Sequence, residues 1–385
     1  MVKSWDLFKE FFQSEKAGGF ILIGCTAVSL LISNSPIGDS YVHFWHSHLR
    51  LPILNLDYSY EHWINDGLMA VFFLLVGLEI ERELFIGELS NRKKALLPIV
   101  AAIGGMIVPS LIHFFFNAGT STQSGFAIPM ATDIAFALGI LSLAGSRVPI
   151  SLKIFLTALA IIDDLGAIVV IALFYTKSFS LLFFLGSIAV FSILFILRKR
   201  KIYYLPLYIL GGLLMWYLML KSGLHATLAG VLLAFAIPFH KEDDKNPSFK
   251  WQSFLHKPVA FVILPIFALA NTAIIFHGNL MESFSNPNSI GIITGLLIGK
   301  FAGIFFFSFV AVRTRFATIS ADLNWRHILG VSFLGGIGFT MSIFITNLAF
   351  EDGAIINESK ISILLASLLA SATGLLFLKL NPRTS

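Results

Sequence analysis

Charged residues are scarce in this chain. They make up 13% of its 385 residues, while hydrophobic residues make up 56% and the mean hydropathy is +0.83. A soluble protein of this length needs far more polar surface, so the composition excludes a water-soluble globular protein. It predicts an all-α integral membrane protein, in which about 20 apolar residues cross the hydrocarbon core as a helix.

Cysteine is scarce as well, and the basic residues are spread over several short segments. Cys25 is the single cysteine, which excludes an internal disulfide framework. The isoelectric point of about 9.2 would suit a nucleic-acid partner only if the basic residues formed one soluble face. They occupy short segments between apolar runs, which is the pattern of membrane topology. We therefore expect membrane lipid, and no nucleic acid, as the partner.

The amino-terminal segment differs from a signal peptide. Such a peptide leads from a basic region directly into an apolar stretch, whereas this segment carries Asp6 and Glu10. Three of its aromatic residues share one helical face: Trp5, Phe8 and Phe12. We interpret residues 1–17 as an amphipathic cytoplasmic helix at the membrane interface, which is retained before the first span.

Apolar runs predict about twelve membrane spans. The candidates are residues 18–34, 62–81, 95–117, 122–143, 151–175, 182–197, 203–220, 223–239, 258–277, 290–312, 327–349 and 361–380. An even number puts both termini on one side of the membrane. If that side is cytoplasmic, most of the 27 Lys and Arg residues lie in cytoplasmic segments, as the positive-inside rule requires.

Residues 35–61 form the longest predicted outer loop. Residues 49–57 partly alternate between apolar and polar types, which favours a short β-hairpin; an irregular loop is the alternative. Pro52 restricts such a hairpin, because proline belongs at edge positions of a sheet.

Four charged residues fall inside predicted spans, where an ionised group costs roughly 2.5 kcal/mol or more to insert. They are Asp133, Asp163, Asp164 and Lys300. Structural ion pairs between helices are one explanation, but three carboxylates and one ammonium do not neutralise each other. The alternative is a functional site. Asp163 and Asp164 are about 100° apart on a helix, so one can face a cation while the other faces the bundle or Lys300.

Two of the spans contain helix-breaking sequences near their centres. Thr132 and Asp133 are residue types that cap helix N-termini, and residues 335–342 of the eleventh span are rich in glycine. Unwound backbone at this depth occurs where it is buried or lines a cavity, and paired interruptions indicate a transporter's binding site. Glycine-rich packing seams are the alternative. If both spans are broken, spans three to five and ten to twelve would be inverted repeats.

Three motifs resemble the NhaA family of sodium/proton antiporters over essentially the whole chain. They are Ala-Thr-Asp-Ile-Ala-Phe-Ala-Leu-Gly at 131–139, Ile-Asp-Asp-Leu-Gly at 162–166, and Gly-Leu-Met-Ala-Val-Phe-Phe-Leu-Leu-Val-Gly-Leu-Glu at 67–79. This family is itself a known example of inverted repeats with two discontinuous crossing helices. The expectation that spans four and eleven are such helices therefore rests on the resemblance.

The resemblance implies roles for the buried charges. Asp163 and Asp164 would bind the cation (Na+ or Li+) and the protons. Asp133 and Lys300 would compensate the dipoles of the half-helices, with Lys300 salt-bridged to Asp163. Thr132 would support the site.

The resemblance also implies a single transporter domain, residues 1–385, in a bacterial inner membrane, with both termini cytoplasmic. The exchange would be electrogenic, with sodium leaving the cell and more than one proton entering, and would serve sodium and pH homeostasis. Neither enzymatic activity nor a cofactor is expected, since Na+, Li+ and H+ are the transported ions. A homodimer joined through outer residues 45–58 is also implied.

A cytoplasmic pH-sensing cluster of the family is only partly matched. Five residues correspond to it or to a position tied to the pH response: Glu79, Arg82, Glu83, His225 and His256. Gln252 and Ser253 stand where an acid and a histidine are usual, and they cannot supply those titrations. An ordinary charged helix end with i,i+3 pairing is the alternative for Glu79, Arg82 and Glu83, and an interfacial histidine is the alternative for His225.

The resulting hypothesis is alternating access, with sodium and protons competing for one site. A sodium-coupled symporter would need a group for an organic substrate, typically an arginine, and no arginine occurs at mid-span. An intramembrane aspartyl protease would need facing aspartates on different helices, without a neighbouring lysine. A passive channel would lack coupling between the two ion flows.

Overall fold

The computed structural model describes residues 2–52, 55–145, 148–176, 179–239, 246–276 and 284–380. Helix α1 begins at Val2. The predicted amphipathic face of residues 1–17 depends almost entirely on side chains that lie outside the described set, so it stays a prediction.

Helices account for most of the described chain. In order, they are α1 Val2–Ser33, α2 Gly38–His46, α3 Tyr60–Trp63, α4 Met69–Phe85, α5 Arg92–Asn117, α6 Ile134–Ser142, α7 Ile150–Phe174, α8 Leu181–Lys199, α9 Leu205–Ser222, α10 Leu228–Ala236, α11 Pro247–Pro258, α12 Leu264–Asn271, α13 Pro287–Thr294, α14 Lys300–Arg313, α15 Trp325–Leu334, α16 Phe339–Ala349 and α17 Gly353–Leu380. Three π-turns join consecutive helices: Ile64–Leu68, Val259–Ile263 and Gly295–Gly299.

Within the described residues, nine helices are long and apolar enough to cross a membrane, and two further bent pairs raise the number to eleven. The bent pairs are Ala17–Ser33 with Gly38–His46, at 115°, and Trp325–Leu334 with Phe339–Ala349, at 44°. The chain is therefore a multi-pass membrane protein. Twelve spans stay a prediction, because the regular helix within predicted span 223–239 is α10, whose nine residues reach only about 13 Å.

Residues 35–61 contain more structure than a hairpin. Helix α2 lies there and was not predicted. The predicted hairpin is confirmed: β1 His48–Leu51 pairs antiparallel with β2 Leu56–Ser59, with Arg50 opposite Asp57. Asn55 is the last residue before β2 and has a φ of 53°, a left-handed conformation that asparagine tolerates well.

Polar residues begin many of the helices. Asparagine side chains accept hydrogen bonds from backbone N–H groups at the starts of α5, α11, α13 and α15, the last in a reciprocal capping box with His327. Such caps satisfy N–H groups that have no partner inside the helix. The caps explain why these helices begin at defined residues, even where the hydropathy of the sequence does not change sharply.

The chain forms two compact units. The first comprises Met1–Gly24, Glu88–Ala167 and Phe276–Ser385. It therefore holds predicted spans three, four, ten, eleven and twelve and most of span five, which continues into the second unit from Ile168. Its core is aliphatic and includes Leu138, Leu156 and Ile304, all fully buried.

The second unit comprises Cys25–Gly87 and Ile168–Ile275. Within it, α4 and α10 pack closely, because Gly77 lies against Ala234 and Gly230 lies against the backbone of α4. Asn65 and Asn271 exchange amide hydrogen bonds of 3.4 and 2.8 Å in its interior. The prediction of one transporter domain concerns function rather than compactness, and it stays a prediction.

Candidate functional site

The fourth predicted span is discontinuous at its predicted break. A 3-10 helix covers Gln123–Met130, residues 131–133 have no regular structure, and α6 begins at Ile134. Asp133 is the N-cap of α6, and its Oδ1 accepts a hydrogen bond of 2.9 Å from the backbone N–H of Phe136. Aspartate suits this position because a carboxylate satisfies an N–H group that the helix itself leaves unpaired.

The eleventh predicted span is interrupted as well, between the end of α15 and the start of α16. The two interruptions meet, since the backbone N–H of Asp133 donates to the carbonyl of Ile337 over 2.7 Å. Oδ2 of Asp133 accepts from both the backbone N–H and the hydroxyl of Thr340, at 3.0 and 2.5 Å. One buried carboxylate thus lies at the N-termini of two half-helices, where a negative charge is favourable.

The second carboxylate pairs with the lysine. Lys300 forms a salt bridge with Oδ2 of Asp163, and both side chains are fully buried. The hydroxyl of Thr132 lies 2.7 Å from the same Oδ2 and accepts a hydrogen bond of 3.0 Å from Nζ of Lys300. Two helices and the interruption of the fourth span, all distant in sequence, therefore bring Asp163, Lys300 and Thr132 together inside the first unit.

Local backbone features give Lys300 its position. It follows directly after the π-turn Gly295–Gly299, a local irregularity that changes the direction of the following side chains. Its aliphatic chain lies against α5 at Gly105, where an added Cβ would be 3.7 Å from Cδ of Lys300. Its hydrogen bonds to described residues go to Asp163 and Thr132, and neither acceptor is a carbonyl at a half-helix end.

Asp164 is also buried, at 1% exposure, and interacts electrostatically with Lys300. Oδ1 of Asp163 is buried and accepts no hydrogen bond from the described residues. The site thus offers carboxylate and hydroxyl oxygens, which are hard ligands that suit a small alkali cation. One ammonium group competes for the same carboxylate oxygen.

The candidate pH-response residues lie in the second unit. Glu79 is buried, with Oε1 3.9 Å from Nε2 of His256, and Arg82 pairs with the adjacent Glu83 at 3.0 Å. Gln252 is buried as well, and Ser253 is exposed. His225 makes a different contact: its Nε2 donates to the carbonyl of Tyr175 over 2.9 Å.

Sequence reasoning missed Thr340, although its place within the glycine-rich stretch 335–342 was a usable signal. It also missed the ion pair of Glu81 and Arg198, whose atoms are 2.7 Å apart in the second unit. Nothing in the sequence indicates that pairing, because Arg198 belongs to a run of basic residues with no marked member.

A multi-pass helical protein with buried carboxylates and a buried lysine at meeting span interruptions has the site of a secondary ion transporter. Comparison with known proteins narrows this class. The model of the family described as Na+/H+ antiporter 1 matches residues 9–378. The chain belongs to this family of Na+/H+ antiporters.

Curated relatives support the same assignment. A protein named Na+/H+ antiporter NhaA from Cytophaga hutchinsonii is 56% identical over 380 residues, covering 99% of this chain and 97% of that protein. Proteins of the same name from Dechloromonas aromatica and Flavobacterium psychrophilum are 59% and 58% identical, over 96% and 98% of this chain and 95% and 97% of their own lengths. By these names the family consists of transporters and not enzymes, as expected, and nothing in them supports the symporter alternative.

Proposed function

We propose that this protein exchanges cytoplasmic Na+ or Li+ for external H+ by alternating access. The observation that carries the proposal is the buried Asp163–Lys300 salt bridge, with Thr132 and Asp164 beside it. A buried charge pair that merely joined helices would not need a second carboxylate and an additional hydroxyl. These groups together form a site at which a cation and protons exclude each other.

The exchange follows from competition for the carboxylates. Sodium arriving from the cytoplasm is coordinated by Asp163, Asp164 and the hydroxyl of Thr132, and it displaces Lys300 from Asp163. Protons arriving from outside neutralise the carboxylates, and the sodium ion leaves. Since protons and sodium compete, the apparent KM for sodium rises as the pH falls.

The exchange moves net charge. Two protons exchange for one sodium ion, carried either by the two neighbouring carboxylates or by one carboxylate and Lys300, which in that case loses its proton when sodium displaces it from Asp163. The membrane potential, negative inside, then drives the inward movement of the extra positive charge. No cofactor takes part in this cycle.

The finer architecture is part of the proposal. We propose twelve spans, with inverted repeats of spans three to five and ten to twelve and a crossing of spans four and eleven, which agrees with the two interruptions. We also propose that both termini are cytoplasmic, which agrees with the distribution of Lys and Arg. We place the protein in the inner membrane of a bacterium, as a homodimer joined through residues 45–58. We further propose that Glu79, Arg82, Glu83, His225 and His256 contribute to the pH response.

The decisive measurement uses everted vesicles from cells that lack their own antiporters. Respiration acidifies the vesicle lumen, and a fluorescent ΔpH probe reports proton efflux when sodium, lithium or potassium is added. We expect rapid dequenching with sodium or lithium, with a higher KM at lower pH. Asp163→Asn and Asp164→Asn each abolish it, because an amide cannot exchange a proton for a cation.

The matched control is Asp39→Asn, which makes the same chemical change at an exposed residue of α2. It should retain the wild-type response. A correctly inserted wild-type protein that responds to no cation from mildly acidic to alkaline pH would refute the antiporter proposal, and exchange in Asp163→Asn would refute the assigned carboxylate.

A further inference from the structure

Two half-helices end at the meeting point of the interrupted spans. The 3-10 helix of the fourth span ends at Met130, and α15 of the eleventh ends at Leu334. The last carbonyls of a helix have no partner within it and carry partial negative charge. Buried in a membrane, they require donors from elsewhere.

Hydroxyl groups from the opposite span reach these carbonyl ends. The hydroxyl of Thr132, in the fourth span, lies 2.9 Å from the carbonyl of Gly335 in the eleventh. The hydroxyl of Ser342, in the eleventh span, donates to the carbonyl of Ile128 in the fourth over 2.7 Å. Ser342 thus bonds to the opposite span, whereas the single proton of the Thr132 hydroxyl is shared between the carbonyl of Gly335 and Oδ2 of Asp163.

Ser342 differs in this from Ser332 and Ser308, two other buried serines on helices of the first unit. Ser332 and Ser308 donate to carbonyls four residues earlier in their own helices, at 2.7 Å each. This is the usual arrangement for a serine inside a helix. Ser342 is fully buried, yet its hydroxyl bonds to a segment more than 200 residues away in the sequence.

We propose that Ser342 is a positioning residue of the exchange site. Its bond fixes the carbonyl of Ile128, and three residues separate Ile128 from Thr132 along the chain. Thr132 in turn contacts both Asp163 and Lys300. Ser342 therefore sets the place of the Thr132 hydroxyl without touching the transported ion, and this inference rests on the proposed function.

Lys300 was expected to compensate the dipoles of the half-helices, and we assign part of that role to Ser342. The hydrogen bonds of Lys300 go to Asp163 and Thr132, whereas the carbonyl ends receive neutral hydroxyl groups. The ammonium group is then free to take part in the competition for Asp163, since the carbonyl of Ile128 accepts its hydrogen bond from Ser342.

The test is Ser342→Ala, measured in the everted vesicles and by hydrogen–deuterium exchange. We expect the KM for sodium to rise at least about fivefold, or roughly 1 kcal/mol, while the maximal rate stays within about a factor of two of wild type. Amides of residues 128–133 should exchange faster with deuterium. Ser342→Thr keeps a hydroxyl and should restore both measurements.

Ser332→Ala is the matched control, because it removes an equally buried hydroxyl from the same interrupted span whose bond lies within its own helix. It should leave the KM and the exchange of residues 128–133 unchanged. An equal effect in both variants, or an unchanged KM in Ser342→Ala, would overturn the proposal. If Ser342→Ala does not accumulate, Ser342→Cys, with its weak S–H donor, must raise the KM partially for the proposal to stand.

These outcomes are separate from failure of the proposed function. A wild-type chain without exchange activity would refute the antiporter assignment. Hydrogen–deuterium exchange would still show whether Ser342 fixes residues 128–133, because that measurement requires no transport.

Discussion

At the scale of single residues, the site depends on how each polar atom is used. Asp133 accepts from Phe136 with one carboxylate oxygen and from Thr340 with the other. It therefore connects the starts of α6 and α16. Asp163 has a different environment, since Oδ2 is shared by Lys300 and Thr132 while Oδ1 has no donor among the described residues. The first aspartate is suited to a fixed structural role and the second to exchange of ligands.

The hydroxyl of Thr340 can be tested directly. Thr340→Val keeps the shape and the backbone N–H but removes one hydrogen bond to a carboxylate, which is worth about 1.5–3 kcal/mol. Thermal unfolding in detergent should show a lower Tm, and the exchange rate should fall because the two half-helices lose a shared contact. Thr346→Val is the control, as its equally buried hydroxyl bonds to Ser342 in its own helix; similar losses in both would contradict the special role of Thr340.

The salt bridge of Asp163 and Lys300 makes a second prediction at this scale. Asp163→Asn removes the hydrogen-bonded counter-ion of a buried ammonium group, and breaking such a buried pair costs about 3–5 kcal/mol in proteins. Adding Lys300→Gln removes that charge, so the double variant should melt at a higher temperature than Asp163→Asn alone. Both variants should lack exchange. A double variant less stable than either single variant would show that the pair is not the main interaction of these residues.

At the scale of elements, the first unit depends on close helix contact. Helices α5 and α14 touch through their backbones, because Gly303 lies against the carbonyl group of Gly104. An added Cβ at Gly303 would be only 2.7 Å from the carbonyl carbon of Gly104. Small residues permit such approach between membrane helices, and the approach brings Lys300 on α14 beside α5.

Gly303→Ala should therefore force the helices apart and lower stability by about 1–3 kcal/mol. Gly24→Ala is the control, since no atom lies within 4 Å of an added Cβ there. It should be neutral or slightly stabilising, as alanine favours a helix over glycine by about 1 kcal/mol. Thermal unfolding of both variants provides the measurement, and equal Tm values would contradict the close contact.

At the scale of the whole molecule, the proposed homodimer would form through the exposed hairpin of β1 and β2. A two-stranded hairpin is marginal by itself, and all four residues of β1 are exposed. The proposed dimer would cover this strand. The ion pairs within the hairpin join Asp57 to Arg50 and His48 and are exposed. Each contributes at most about 1 kcal/mol to the stability of the hairpin.

Cross-linking tests the dimer. With Cys25→Ser as background, Leu49→Cys should give a covalent dimer with a bifunctional maleimide in native membranes, because Leu49 lies on the exposed strand. Leu205→Cys, at the exposed start of α9, should remain monomeric. Monomers at both positions, or equal dimers at both, would argue against association through residues 45–58.

The sequence by itself determined the class of protein and indicated candidate residues for the site. Apolar composition requires a lipid environment, and charges inside spans are costly enough to indicate function, so Asp133, Asp163, Asp164 and Lys300 were identifiable without a structure. Capping residues and glycines indicated both interruptions. These signals are local, because they depend on residue chemistry and spacing along one segment.

Only the tertiary structure decided the pairings. These pairings join residues that are distant in sequence: Asp133 with Thr340, Ser342 with Ile128, and Glu81 with Arg198. The short helix α10 and the unpredicted α2 have the same cause, since hydropathy records how apolar a segment is but not where its helix bends or ends. Packing against other segments fixes those points, and this packing assigns each buried donor its acceptor.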